Sequence, residues 1–254
     1  MPEGDTIART ARTLRQWLEG REITAARSVR AKVPANRLVG RRVEAVEARA
    51  KHLLIRLSSG DVLYTHMRMT GSWHVYSAGE KWRKPGHQAR LVLEAGDRVA
   101  VCFDAPVVEL LAAGEEERHQ SLAGLGPDVL NDELDLAEVV RRARARPPDT
   151  TAGDVLLDQR VVSGIGNIWR CETLAAEGVH PSTPVDRLGD DDLRRLVTTA
   201  SRLMKASTAG ARPDAAVYGR GGRPCRRCGT GVRVARGGDP VRDVWWCPRC
   251  QPEP

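Results

Sequence analysis

Four cysteines near the C-terminal end carry the clearest chemical signal in this 254-residue chain. They stand as Cys225-x2-Cys228, then 18 intervening residues, then Cys247-x2-Cys250. Each x2 pair lets two sulfurs reach one metal from a tight knuckle, and the spacing suits a tetrahedral site of four thiolates. Four thiolates leave no position for water, so one Zn2+ per chain is expected in a structural role. A segment of 26 residues cannot bury a core of its own, so the metal is what holds it folded. At the other end the chain opens MPEGD, directly before an amphipathic helix. Termini usually fray and tolerate change, so a Pro2-Glu3 start is an accident or a chemical device. A third signal is SGIGNIW, a glycine-bearing turn expected to span six residues between two helices. Its free backbone N–H groups would make an anion site suited to a phosphate, with Asn167 as the N-cap of the second helix. A plain helical hairpin with a capping asparagine gives the same pattern.

These groups need elements to position them. Ile7, Ala11, Leu14, Trp17 and Leu18 repeat with helical period over residues 5–19, and Gly20 closes that helix. Residues 22–110 then read as short strands: VEAVEARA, HLLIRL, VLYTHM, GSWHVY, ARLVLEA and RVAVCF, separated by turns such as SSGD and AGDR. Antiparallel strands without intervening helices predict a β-sandwich or barrel. Helical patterns follow in LAEVVRRARA, AGDVLLDQR, NIWRCETLAAEG and DDLRRLVTTASRLMKAS. The expected class is thus α+β and multidomain. Residues 1–118 form a helix plus antiparallel β-sandwich, and 119–150 a linker with the first helix of the second domain. Residues 151–215 form an all-α domain and 216–254 the zinc-bearing tail. Cys102 and Cys171, isolated in apolar settings, read as small core residues.

Charge follows the same division. Residues 1–60 hold 13 Lys and Arg against 6 Asp and Glu, and residues 210–254 hold 9 against 4. The middle is acidic, with 18 against 23. Two basic ends around an acidic middle fit a polyanion held between two surfaces. Only five of the 40 basic residues are lysine, which makes each lysine noticeable. The N-terminal residues carry Glu3 and Asp5 and lack an apolar h-region, and no run approaches a membrane span. A cytoplasmic, non-membrane, monomeric protein is expected.

Taken together, the chain resembles the formamidopyrimidine-DNA glycosylase/endonuclease VIII family of base-excision repair enzymes. The matching stretches run along nearly its whole length: MPEGD, AKHLLIRL, HMRMTGSW, LGPD, SGIGNIW, VYGRGGRPCRRC and CPRCQ. The resemblance implies a helix–two-turns–helix around SGIGN, a C-terminal zinc finger, and damaged DNA as partner. It implies that Pro2, exposed by removal of Met1, attacks C1′ of the damaged nucleotide, with Glu3 as general acid/base. Lys51 matches the catalytic strand lysine, and Asn167 the phosphate-contacting asparagine. Arg242 matches the finger arginine that grips phosphate and aids δ-elimination. His66, Arg68 and Tyr218 match DNA-contact positions, and Met69 the residue inserted where the base leaves the stack.

Physical chemistry explains why such a start is useful. An amine supplies an electron sink by forming an iminium with the sugar carbon. An α-amino group titrates near 7.7–8.0 and lysine near 10.4, so at pH 7 the terminal amine is about 300-fold more often neutral. The adduct of a secondary amine has no N–H to lose, so the iminium stays cationic. The lesion is less determined. The 8-oxoguanine-directed members carry an Arg-Phe pair in a β-domain loop, where FDAPVVELL places Val107 and Val108. Oxidised pyrimidines are therefore the expected substrates, with β,δ-elimination following base removal. Thr6 and Gly124 depart from the endonuclease VIII pattern. An 8-oxoguanine-preferring glycosylase and a non-catalytic zinc-finger protein that binds damaged DNA are the alternatives.

Overall fold

The computed structural model describes residues 2–29, 31, 33–211, 214–237 and 242–254, which form two compact units, 1–123 and 124–254. In the first, α1 (Gly4–Leu18) buries Ile7, Ala11, Leu14 and Leu18, the i, i+4, i+7, i+11 face of the helical repeat. Glu3 sits at its N-cap with extended backbone, and its carbonyl accepts the Thr6 and Ile7 N–H groups. Eight strands form two antiparallel sheets. One has the order β1-β6-β7-β5: Ala25–Ser28, Ala89–Ala95, Arg98–Phe103 and Ser72–Ser77. The other has the order β2-β3-β4-β8: Val43–Arg49, His52–Leu57, Val62–His66 and Val107–Leu111. Leu53, Ile55 and Leu57 of β3 join Leu91 and Leu93 of β6, Cys102 of β7 and the apolar face of α1 in one core.

The β-sandwich expectation holds, with two strands added. β1 reads AARS, too short and polar to show a strand pattern. β8 follows Pro106 in a segment expected to be a loop, but Val107–Leu111 pairs along β4 from His66 to Val62.

In the second unit, α2 (Leu136–Arg144), α3 (Ala152–Leu157), α4 (Asn167–Glu177) and α5 (Asp190–Thr208) share a core that includes Val139, Leu156, Trp169, Leu196 and Met204. Asp135 caps α2 through the Glu138 N–H, and Thr151 caps α3 through the Asp154 N–H. The connection from α3 to α4 spans 158–166, longer than the six residues expected. The Asp158 carboxylate accepts the Arg160 N–H at 3.0 Å, an Asx turn that diverts the chain after Leu157. The LGPD segment braces this connection. Gly126 donates to the Gln159 carbonyl, and Ser163 N–H to the Pro127 carbonyl. A Cβ on Gly126 would lie 2.5 Å from the Val161 oxygen, so only glycine fits. Strands β9 (Arg233–Gly237) and β10 (Arg242–Trp246) pair as the antiparallel hairpin of the cysteine segment. Among the described residues no helix is long and apolar enough to cross a membrane.

Candidate active site

In the first unit the site residues gather on one end of the β2-β3-β4-β8 sheet. Arg49 pairs with His52, His52 with His66, and His66 with Val107, a row across four strands. Lys51 belongs to the two-residue turn beside this row, between Arg49 and His52. Ala50, the first turn residue, has φ +56°, a conformation that favours glycine. Beyond His66, the Gly71 N–H closes onto the Met67 carbonyl at 2.8 Å, and Arg68 between them has φ +45°. A Cβ on Gly71 would lie 2.6 Å from the Met67 oxygen, so the turn requires glycine there. The turn buries Met67 and leaves Met69 66% exposed. Thr70 donates its hydroxyl to the Asp104 carbonyl, and Asp104 has φ +50°. Ala50, Arg68 and Asp104 are the non-glycine residues with positive φ among those described, and all three lie in these loops. Backbone strain concentrates where residues are held for chemistry.

The row is electrostatically unusual. Burial pulls His52 down to about 3, helped by His66, His119, Lys51 and Arg49. Burial also pulls His66 down to about 4, helped by Arg68 and Lys51. Both imidazoles are neutral near pH 7, so any phosphate contact by His66 is a neutral hydrogen bond. His52 Nδ1 lies 2.9 Å from the Tyr64 hydroxyl, and the His52 and His66 rings stack at 4.8 Å. Tyr64, pushed up to about 12 by burial, packs on His119, whose Nε2 lies 3.1 Å from Glu109. Sequence reasoning missed His52, Tyr64 and His119. The alternation Tyr64-x-His66 on one face of β4, opposite His52, was the signal.

Glu3 is 1% exposed, while the neighbouring Pro2 is partly exposed. A carboxylate that deep is costly unless it is engaged, and Glu3 is engaged. Val107 and Val108 do not stand on a loop: they open β8 opposite His66 and Thr65, with Val108 buried.

The second unit joins Asn167 to the neighbour of Arg242. Asn167 is not the N-cap of α4, a place that Gly166 takes with extended backbone. Its side chain is instead buried, and its Nδ2 donates to the Asp243 carbonyl at 2.9 Å. Arg170, one turn along, donates through Nη2 to Asn167 Oδ1 and to the same carbonyl. This fixes β10, and with it Arg242, against the start of α4. The turn's N–H groups are not all free, since Gly164 donates to Gln159 Oε1. Glu172 accepts the N–H groups of Ala216, Val217 and Tyr218 at 2.7–3.1 Å and so holds the entrance to the cysteine segment. The Tyr218 ring packs on Trp245.

Cys225, Cys228, Cys247 and Cys250 bring their sulfurs within 4.8 Å of one another. Tetrahedral zinc at about 2.3 Å from each sulfur needs separations of about 3.8 Å, and the Cys228–Cys247 pair is at 3.5 Å. Hydrogen bonds from Thr230 hold the Cys228 thiol down to about 6, while burial and the other sulfurs push Cys250 up to about 12. Four thiolates this close need a dication to coexist, so the donor set fits a metal. The buried Gln251 accepts the Cys247 N–H and donates to the Val179 carbonyl, tying the knuckle to the chain beyond α4.

Known proteins match this architecture along its length. The family model of the formamidopyrimidine-DNA glycosylase N-terminal domain matches residues 1–106, and that of the formamidopyrimidine-DNA glycosylase H2TH domain matches residues 125–213. A probable endonuclease 8 2 of Streptomyces coelicolor is 42% identical, over 100% of this chain and 95% of its own. A DNA-(apurinic or apyrimidinic site) lyase Nei2 of Mycolicibacterium smegmatis is 37% identical over 99% of both chains. Among solved structures, a Lactococcus lactis formamidopyrimidine-DNA glycosylase bound to DNA containing an AP site superposes with TM-score 0.87 at 20% identity, over 99% of this chain and 100% of that one.

Proposed function

The chain belongs to the formamidopyrimidine-DNA glycosylase/endonuclease VIII family, and from that premise we propose that it is a bifunctional DNA glycosylase/AP lyase of base-excision repair acting on oxidised pyrimidines. The observation that carries this reading is its full-length identity, at 37–42%, to proteins named endonuclease 8 and AP lyase Nei2. A relative named formamidopyrimidine-DNA glycosylase, from Rhizorhabdus wittichii, is 34% identical. The aliphatic Val107 and Val108, held in β8, support a pyrimidine lesion over 8-oxoguanine.

In this mechanism Met1 is removed and the Pro2 nitrogen bonds to C1′ as the glycosidic bond breaks. Glu3 moves protons at the sugar, and its burial beside Pro2 suits a group working away from bulk water. The ring-opened iminium draws electrons, so that loss of a C2′ proton expels the 3′ phosphate and a second elimination expels the 5′ phosphate. Lys51 and His66 hold phosphates near the sugar, with Arg68 beside them. Met69, exposed on its strained turn, enters the gap left by the flipped nucleotide. Asn167, Tyr218 and Arg242 grip the backbone from the second unit, with Arg242 aiding δ-elimination. One Zn2+ on Cys225, Cys228, Cys247 and Cys250 would hold the finger folded and take no part in the reaction. The enzyme would work on DNA in the cytoplasm.

The test is a cleavage assay on duplexes carrying thymine glycol, 8-oxoguanine or an AP site. Thymine glycol should be excised at least about tenfold faster than 8-oxoguanine, a gap of about 1.4 kcal/mol. Faster 8-oxoguanine excision would reverse the lesion assignment. Failure to cut an AP site would remove the lyase.

A further inference from the structure

The face of the β2-β3-β4-β8 sheet turned away from the core of Leu53, Ile55 and Leu57 carries a column of four rings. His66 stacks on His52 with centroids 4.8 Å apart, and His52 on Tyr64 at 5.6 Å. Tyr64 packs in turn on His119 at 4.7 Å. The pleat aligns them: His52 and His66 pair directly across β3 and β4, and Tyr64 lies two residues before His66 on the same face. One end of the column is tied down, because His119 Nε2 meets Glu109, which stands opposite Tyr64 on β8. The other end is His66. The proposed reaction uses His66 but neither His52 nor Tyr64, both of which are buried.

One polar contact fixes the middle of the column. The Tyr64 hydroxyl lies 2.9 Å from His52 Nδ1, and Ser121 bonds the same phenol. Burial holds the phenol up to about 12 and His52 down to about 3, so both are neutral at pH 7. A neutral phenol is a stronger donor than an imidazole N–H, and a bare imidazole nitrogen is a better acceptor than a phenol oxygen. Tyr64 therefore donates, and His52 carries its proton on Nε2. The χ2 torsion of a histidine is broad and two-fold when nothing holds the ring. The bond from Tyr64 removes that freedom. His52 directly follows Lys51, and its ring is the surface on which His66 rests, so a turn of His52 disturbs both. The other charged and titratable groups around His52 are Arg49 on β2, Lys51 in the turn, His66 on β4 and His119 beyond β8.

We propose that Tyr64 and His52 are positioning residues for strand cleavage: the Tyr64 hydroxyl locks the His52 ring, and that ring holds His66 and the Lys51 turn against the phosphates of the damaged strand. The proposal rests on the reading above, in which Lys51 and His66 hold phosphates near the sugar. Neither Tyr64 nor His52 needs to touch the DNA.

Tyr64→Phe keeps the ring in the column and removes only the hydroxyl. Long-range 1H–15N spectra of the full-length, zinc-loaded protein read the His52 tautomer, with the signals identified by their loss in His52→Gln. Wild type should show Nε2 protonated and Nδ1 bare, and Tyr64→Phe a mixture of the two tautomers. In single-turnover cleavage of AP-site DNA, Tyr64→Phe should be at least about tenfold slower, since a misplacement of about 1 Å can cost about 10²-fold. Its affinity for DNA carrying an uncleavable tetrahydrofuran site should stay within about threefold of wild type, because phosphate contacts spread along the duplex carry binding. Arg56→Met cuts the ion pairs to Glu47 and Glu116 on the same sheet face without reaching the column, and it should leave the rate within about threefold. The proposal is overturned by a wild-type His52 protonated on Nδ1, by a Tyr64→Phe rate like that of wild type, by an equal loss of affinity, or by Arg56→Met slowing cleavage as much. A wild-type protein that leaves AP-site DNA uncut removes the lyase reading and the role of the column together. An active wild type with an unaffected Tyr64→Phe removes that role alone.

Discussion

The two units hold their site residues by opposite means. In the first, Lys51, Arg68 and Met69 sit on turns with left-handed residues, beside imidazoles kept neutral by burial. In the second, Asn167 on α4 and Tyr218 and Arg242 on the cysteine segment are held through backbone carbonyls and N–H groups, beside a set of four sulfurs. Strain and desolvation set reactivity, at a cost in stability. Hydrogen-bonded bracing sets placement, which is all that a phosphate clamp requires. Damage to the first unit should therefore appear in rates, and damage to the second in DNA affinity.

The largest expected effect is on chemistry. Glu3→Gln keeps the shape of the side chain and removes its proton transfer, so base excision should slow by about 10²–10⁴-fold. DNA affinity should change little, and an equal loss of affinity would erase the contrast between the units. Metal removal comes next. A chelator, or Cys228→Ser, should unfold the β9–β10 hairpin, because structural zinc supplies about 10–16 kcal/mol in such segments. Circular dichroism and a salt titration of DNA binding would follow it. Affinity should collapse while the sandwich keeps its melting transition.

A smaller effect is expected at the link between α4 and β10. Asn167→Ala leaves the Asp243 carbonyl with Arg170 alone and removes an acceptor from Arg170. The expected cost is about 1–3 kcal/mol in stability of the second unit, read by denaturant melts. DNA affinity should fall and the slope of log K against log salt should flatten. The smallest effect concerns pH. His66 has a pKa lowered by burial to about 4, so between about 6.5 and 4 the unfolded chain takes up a proton that the folded chain refuses. Stability is thus fully present above about 6.5 and falls as pH drops through that window, by at most about 1.4 kcal/mol per pH unit from this group. His66→Gln should flatten that limb in thermal melts, and an unchanged limb would show that other groups cause it.

Much of this was legible in the sequence because the relevant signals are local. The x2 cysteine pairs, the α1 repeat and six of the strands need only neighbours along the chain. What escaped depends on distant partners. β8 looks like a loop until β4 supplies its hydrogen bonds. Asn167 has the residue type of a cap, but Asp243, far along the chain, claims its amide. The row of His52, His66 and Tyr64 emerges only when β3 and β4 are placed in register. Strain at Ala50 and Arg68 is likewise invisible in residue types that carry no preference for it.

Borohydride trapping shows whether Pro2 is the nucleophile. Protein with a free Pro2 terminus is incubated with AP-site DNA, reduced, digested and mapped by mass spectrometry. One covalent adduct is expected, on the peptide that begins at Pro2, and it should disappear when a leading tag blocks that terminus. An adduct mapped to Lys51, or trapping that survives the tag, would contradict it.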